Sequence, residues 1–384
     1  MRIAHYIHDL DGQGGIETYL ERLGHGLTAA GHEVLYVGLR GRPRPDRVLV
    51  HDEQTLYEEI RRREVDVLHL HKAVFSAPPA DLNVVRTVHD NGAACPSGSR
   101  YLPRQQSPCP RTAGLATCLF GHYVDGCGSR RPAEVRHHFR RLAANRRVLP
   151  GLPTITVSQY LMDEMLALGY PANHLRVIRS PAPDGPATPP PLQLDGPPRL
   201  LFLGRLVPEK GVDWLLRALA HLPSSVCLDV AGEGHARPAL ETQARALGLG
   251  DRVTFHGWVA PAAVPSLLET ARAVVVPSVW HEPAGLVSLE AAAYGRAAVV
   301  STVGGIPEYA TPDYALHVTP QDEHGLAEAL TRLCTDPTLA TTLGRAGHAL
   351  AQSTFHRSHF FHQHEQLYAA LAPDVQPTTA SPVR

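Results

Sequence analysis

Lysine is almost missing from this chain of 384 residues. Only Lys72 and Lys210 occur among 36 Lys+Arg, so arginine carries nearly all of the positive charge. Against 37 Asp+Glu the formal net charge is −1. A chain without a basic excess lacks the electrostatic footprint of a dedicated nucleic-acid binder, and no nucleic-acid partner is expected. Long apolar runs are missing too. No segment approaches the roughly 18–20 apolar residues of a membrane-spanning helix. The opening MRIAHYIHDL is too short and too rich in His and Asp for a signal-peptide apolar region. A cytoplasmic location is therefore the expectation. Cysteine pairs at CxxC spacing are also lacking, which excludes a standard zinc ribbon. In a reducing compartment the six cysteines stay as thiols unless they bind metal.

What is present is ordinary for a soluble globular chain, with 43% hydrophobic and 19% charged residues. The length calls for two or three domains. Short β-rich runs alternate with amphipathic helices. Strands are predicted at 2–7, 32–38, 65–71 and 83–89, with helices at 17–30 and 54–63. Runs such as VDVLHLH and NVVRTVH are apolar enough for strands buried on both faces, the mark of a parallel sheet. A loop-rich insertion at 91–131 follows, and the rhythm resumes at 154–178. Residues 181–198 hold eight prolines, too many for a regular element, and read as a stiff linker. A second series then begins. Its strands are predicted at 199–204, 225–232, 252–257, 273–278 and 297–302, and its helices at 212–222, 237–247, 262–271 and 286–294.

The expected fold class is thus α/β, with two Rossmann-like doubly wound domains. They span 1–180 and 199–354, flank the linker, and face a central cleft. A last helix at 355–372 is expected to cross back to the first domain, and 373–384 to be a disordered tail. The terminal FHRSHFFHQHEQLYAALA alternates aromatic and basic residues. It reads as a helix packed across both domains, and peripheral membrane contact stays open.

Three stretches carry candidate chemistry. Gly12-Gln13-Gly14-Gly15 follows the first strand and opens the first helix. Small residues there let a ligand approach the backbone at an anion-attracting helix end. GRLVPEKG at 204–211 places Arg205 and Lys210 at the carboxyl end of a strand. A guanidinium fork beside a point ammonium suits a diphosphate. PSVWHEPAGLVSLEAAAYG at 277–295 puts Glu282 and Glu290 around a helix start at Gly285, Leu286 and Val287. Free amides there attract anions, and carboxylates accept hydrogen bonds from vicinal hydroxyls.

Together, GRLVPEKG, HEPAGLVSLEAAAYG and VGGIPEY resemble the retaining nucleotide-sugar glycosyltransferases of family 4, with the GT-B fold. The Glu-x7-Glu spacing of Glu282 and Glu290 is that family's motif, and GGIETYLERLGHGLTAAGHEV and TVHD are similar to its first loop and helix. The resemblance covers roughly 1–90 and 150–370. It implies that Arg205 and Lys210 bind the donor diphosphate, Glu282 the donor sugar and Glu290 the ribose. By the same resemblance the amides of Gly285, Leu286 and Val287 cap the phosphates, while Gly14 and Gly15 approach them from the first domain. His89 would sit beside the transferred sugar, with Gly304, Gly305 and Glu308 behind it. The implied partners are a nucleotide-sugar donor and a carbohydrate, lipid-linked or small-molecule acceptor. The implied chemistry is retaining and metal-independent, with no cofactor required, and no Asp-x-Asp motif that would hold a divalent metal is read in the sequence. Rival functions are a sugar-nucleotide epimerase, a phosphorylase with pyridoxal phosphate on Lys72 or Lys210, and a catalytically silent scaffold.

Four cysteines, Cys95, Cys109, Cys118 and Cys127, fall inside the insertion. A structural zinc ion, free thiols and disulfides are all open for them, and His122 could replace one metal ligand.

Overall fold

The computed structural model describes residues 1–12 and 14–373. Gln13 of the first glycine loop and 374–384 of the expected tail lie outside the described residues.

The first half contains β1 (Arg2–Tyr6), α1 (Gly15–Ala29), β2 (Glu33–Gly38), β3 (Arg47–Leu49), α2 (Glu53–Arg62), β4 (Val67–Leu70) and β5 (Val84–Val88). The insertion adds a short hairpin, β6 (Tyr101–Leu102) with β7 (Ser107–Pro108), and α3 (Leu115–Phe120). Then come α4 (Pro132–Val148), β8 (Thr154–Thr156), α5 (Gln159–Ala167) and β9 (Leu175–Val177). The seven long-sheet strands are all parallel, in the order β3-β2-β1-β4-β5-β8-β9. The core is built from fully buried strand residues such as Ile3, Val67, Val85 and Ile155, with Leu23 and Leu27 of α1 covering one face.

No regular element separates Val177 from Arg199. Proline has no amide hydrogen to donate to a ladder, and its ring restricts the residue before it. The second half is β10 (Arg199–Leu203), α6 (Val212–Ala220), β11 (Cys227–Ala231), α7 (Arg237–Ala246), β12 (Val253–Gly257), α8 (Val264–Thr270), β13 (Ala273–Val276), α9 (Leu286–Ala293), β14 (Ala297–Ser301), α10 (Ile306–Tyr309) and β15 (Ala315–Val318). Its six strands are again all parallel, ordered β12-β11-β10-β13-β14-β15. Each sheet reverses strand order beside its first strand. Crevices at such reversals lie outside the strands' carboxyl ends and bind ligands.

Three helices close the chain: α11 (Glu323–Thr335), α12 (Pro337–Gln352) and α13 (Arg357–Leu371). Phe360, Leu367 and Tyr368 of α13 are buried against Ile3, Tyr19 and Leu23 of the first half. That face is already covered by protein. No helix of the described residues is long and apolar enough to cross a membrane.

The sequence reading lacks β3, α4, α10 and β15, and the β6–β7 hairpin and α3 fall where it expects only a loop-rich insertion. The α4 sequence PAEVRHHFRRLAANRRV buries only Val135, Leu142, Ala144, Asn145 and Val148, a stripe too thin to stand out among arginines and histidines. The remaining boundaries shift by a residue or two.

Candidate active site

Where the carboxyl ends of the two sheets face each other there is a cavity of about 510 Å³. From the first half it is lined by Gly14, Gly15, Tyr19, Arg22 and His89, and from the second by Arg205, Lys210, Ser278, Trp280, Glu282, Gly285, Leu286, Val287 and Glu290. Gly15 and Leu286 meet across it, so close that a Cβ on Gly15 would stand 3.7 Å from Leu286 Cδ1.

Lys210 ends a tight turn, Pro208–Lys210, after β10, and its Nζ donates to Glu282 Oε1. Ser278 Oγ donates to the same oxygen at 2.5 Å. Glu282 is buried, so two donors hold its carboxylate in one orientation and leave Oε2 to face other partners. Lys210 Nζ also lies 5.9 Å from the centre of the Trp280 ring. Arg205 is exposed and lines the cavity, and no carboxylate of the described residues pairs with it. Amides at the start of α9 add partial positive charge. One wall therefore gathers two cations and a helix amino end, a surface suited to a diphosphate. Glu290, one turn further along α9, lines the same cavity. Burial pushes its carboxyl up to about 7, against the opposing pull of Arg22.

His89 is backed by a chain of histidines that the sequence reading passes over. Its Nε2 hydrogen-bonds His71 Nδ1 at 3.0 Å, and His71 Nε2 hydrogen-bonds His5 Nδ1 at 3.0 Å. His69 bonds Thr87 Oγ1 and Tyr368 OH at 2.6 Å each. Tyr19 stacks edge-on over His89 at 4.7 Å and bonds His364 Nε2 at 2.8 Å. Burial drives the His89 pKa well below its usual value, and the Arg86 and Lys72 cations push the same way. His89 is thus a neutral imidazole. The signal in the sequence is HLH at 69–71, since period 2 puts both rings on one side at the end of β4 and the residue after it.

Three further residues of the family-like pattern make contacts within the protein. The sequence places Gly304, Gly305 and Glu308 behind the donor, but none lines the cavity. Gly304 adopts φ 59°, and a Cβ there would strike the Glu282 backbone, 2.3 Å from its oxygen. Gly305 N donates to Glu282 O at 2.7 Å. These glycines buttress the Glu282 loop from beneath. Glu308 crosses to the first half. Its carboxylate accepts from the Gln159 and Tyr160 amides at 2.7 Å each, at the start of α5, and from Arg179 at 2.9 Å. Glu308→Ala is expected to lower stability by about 2–3 kcal/mol, the loss of a helix cap plus a charge-assisted bond. A denaturant midpoint unchanged from the parent protein would show that the contact is idle.

One Asp-x-Asp triplet does occur, Asp9-Leu10-Asp11. Asp9 Oδ1 accepts from the Asp11 amide at 3.0 Å, and Asp11 accepts from Arg47 at 3.2 Å. Both carboxylates are engaged in a turn outside the cavity lining.

Comparison with known proteins agrees with this geometry. Residues 187–349 match the model of the glycosyl transferases group 1, and 13–182 that of Glycosyltransferase Family 4. A glycogen synthase of Mycobacterium tuberculosis is 30% identical over 373 residues, 94% of this chain and 78% of that protein. An uncharacterized glycosyltransferase of Methanocaldococcus jannaschii is 36% identical over 140 residues, 36% of each chain. Among solved structures, a sucrose-phosphate synthase from Thermosynechococcus elongatus superposes with TM-score 0.75 at 22% identity, covering 97% of this chain and 100% of that one. The Anabaena protein HepE with UDP-glucose gives TM-score 0.67 at 19% identity, covering 96% and 100%. With two parallel α/β sheets facing one cleft and a relative aligned over 94% of this chain, the chain belongs to the group 1 glycosyltransferases, family 4-like enzymes of the GT-B fold.

Proposed function

We propose that the cleft binds a nucleotide diphosphate sugar and transfers its sugar, with retention at the anomeric carbon, to a carbohydrate, lipid-linked or small-molecule acceptor. The observation that carries this reading is the wall formed by Arg205, Lys210, Glu282 and the start of α9 within one cavity. When the anomeric C–O bond breaks, its electron pair goes to the diphosphate oxygen. Fixed cations and amides stabilise charge where it develops. That is the service a metal would otherwise perform, and transfer is proposed to be metal-independent. The acceptor hydroxyl attacks the same face, and its proton passes to the departing phosphate oxygen. Glu282 accepts hydrogen bonds from donor sugar hydroxyls, and Glu290 from the ribose. His89, neutral and tethered through Nε2, offers Nδ1 to the transferred sugar.

A panel of nucleoside diphosphates and nucleotide sugars in a thermal-shift assay tests the donor class, because a ligand of the native state raises the midpoint. Product anomer analysis tests retention. An inverted product, or no shift with any nucleoside diphosphate, rejects the reading.

The Glu290 carboxyl supplies a further check. With its pKa near 7 it is largely protonated at pH 6 and ionised at pH 8. An ionised carboxylate is the better acceptor for ribose hydroxyls, so donor affinity should rise roughly fivefold over that range. Glu290→Gln should flatten the rise, which isothermal titration would report.

A further inference from the structure

Two sets of metal-ligating side chains stand outside the donor cleft. The first is His5, His69 and His71, whose ligand atoms lie within 4.8 Å of one another. Their ring nitrogens are largely spent on one another, on His89, Thr87 and Tyr368. The charged side chain that both His69 and His71 feel is the Arg86 guanidinium. A cation would arrive there among neutral ligands and a positive neighbour, so this set belongs to the support of His89.

The second set is different. Cys95, Cys109, Cys118 and Cys127, spread over 32 positions of chain, converge with His122 on one cavity of about 20 Å³. His122 is 1% exposed. Its Nδ1 lies 2.9 Å from the Ser129 carbonyl oxygen, which can only accept. The proton therefore sits on Nδ1, and Nε2 carries a bare lone pair. That Nε2 is buried without any hydrogen-bond partner. An imidazole anchored to a carbonyl through one nitrogen, with the other bare, is the arrangement of a metal-ligating histidine. Gly121 makes room beside it, since a Cβ there would come within 2.9 Å of Cys127 Sγ.

We propose that this insertion binds one Zn²⁺ through His122 Nε2 and thiolates of the cysteine cluster. Thiolate and imidazole donors together select zinc, and a tetrahedral ion takes four of the five available. No three ligand atoms of this set lie within 4.8 Å of one another, so metal capture must draw the insertion together. The insertion spans the cleft. Tyr101 of β6 packs into the second half's core, and Asn91 Nδ2 donates to His281 O at 2.9 Å, next to Glu282. The ion thus braces the wall that meets the Glu282 loop, and takes no part in the transfer step.

The full chain, purified in reductant with zinc supplied, should carry about one zinc per molecule by elemental analysis. Cobalt substitution should give thiolate charge-transfer bands, and chelation should lower the thermal midpoint. Because four thiols remain, His122→Ala should shift the cobalt charge-transfer bands as a further thiolate replaces the imidazole, whereas His122→Cys should keep the ion. Lys210→Ala should leave zinc content unchanged, which separates this site from the donor site. A folded chain that takes up neither zinc nor cobalt overturns the proposal, as does one whose four cysteines are pairwise oxidised under these conditions. Should His122→Ala fail to fold, the cobalt spectrum of the parent protein and the zinc content of His122→Cys decide the matter.

Discussion

Lys210→Ala is expected to lower kcat for sugar transfer by about 10³-fold while the protein stays folded. Removing one preorganised donor from a site of developing charge typically costs 10²–10³-fold, and here two roles are lost together. Lys210 Nζ lines the cavity wall proposed to hold the diphosphate and bonds Glu282. Ser278 Oγ remains bonded to Glu282 at 2.5 Å, so the carboxylate is not stranded and the thermal midpoint should move by only a few degrees. Lys210→Arg should recover little. A planar fork cannot occupy the place of a compact ammonium between Glu282 and the Trp280 ring. Glu282→Ala should be as damaging by the other route, leaving Lys210 charged and misplaced. Steady-state kinetics with the donor found by thermal shift would check both. Activity within tenfold of the parent protein in either variant would remove these residues from the proposed site.

Acid should unfold this protein early, and the second large effect concerns the buried histidines. Burial lowers His5 to about 3 and His364 to about 4, and drives His69, His71 and His89 down as well. In the unfolded chain these rings titrate near their ordinary value of about 6.5. Below that pH the unfolded state binds more protons than the native one, so stability falls as pH falls. The window runs from about 6.5 down towards the native values. Each ring contributes up to about 1.4 kcal/mol per pH unit. His5 and His364 alone then imply a loss on the order of 5 kcal/mol between pH 6.5 and 4.5. Denaturant titrations at four pH values would measure the slope. His364→Phe should flatten it, because that ring contributes to the window through burial. A flat profile down to pH 4.5 would contradict the neutral, packed histidine cluster.

Residues that act within one loop were legible in advance. Arg205 and Lys210 follow one strand, Glu282 to Glu290 straddle one strand-to-helix turn, and Gly14 and Gly15 open one helix. In each case the chemistry travels with a local signal, a buried strand ending where a helix starts. Glu308 has a partner that no local signal gives: from α10 it caps α5, whose first amide lies 149 positions earlier in the chain. His89 was legible as a polar group at a strand end, but the His71 and His5 rings that set its hydrogen bonding come from two other strands. α4 went unread because its apolar stripe is thin and its arginines dominate the pattern.

The sequence by itself determined the two α/β halves, the proline-rich break between them and the family-bearing loops, because hydrophobic periodicity and turn chemistry act over a few residues. Only the tertiary structure decided which faces meet. The crossing of the last helix was expected from the sequence, but the bond of His364 to Tyr19, across 345 positions of chain, was not. The tertiary structure joined Glu308 to the start of α5, and it brought four cysteines and His122 to the lining of one cavity. Those outcomes depend on sheet order and on the apposition of two domains. The energies that select them are contacts between residues remote in sequence, and no local pattern records such a contact.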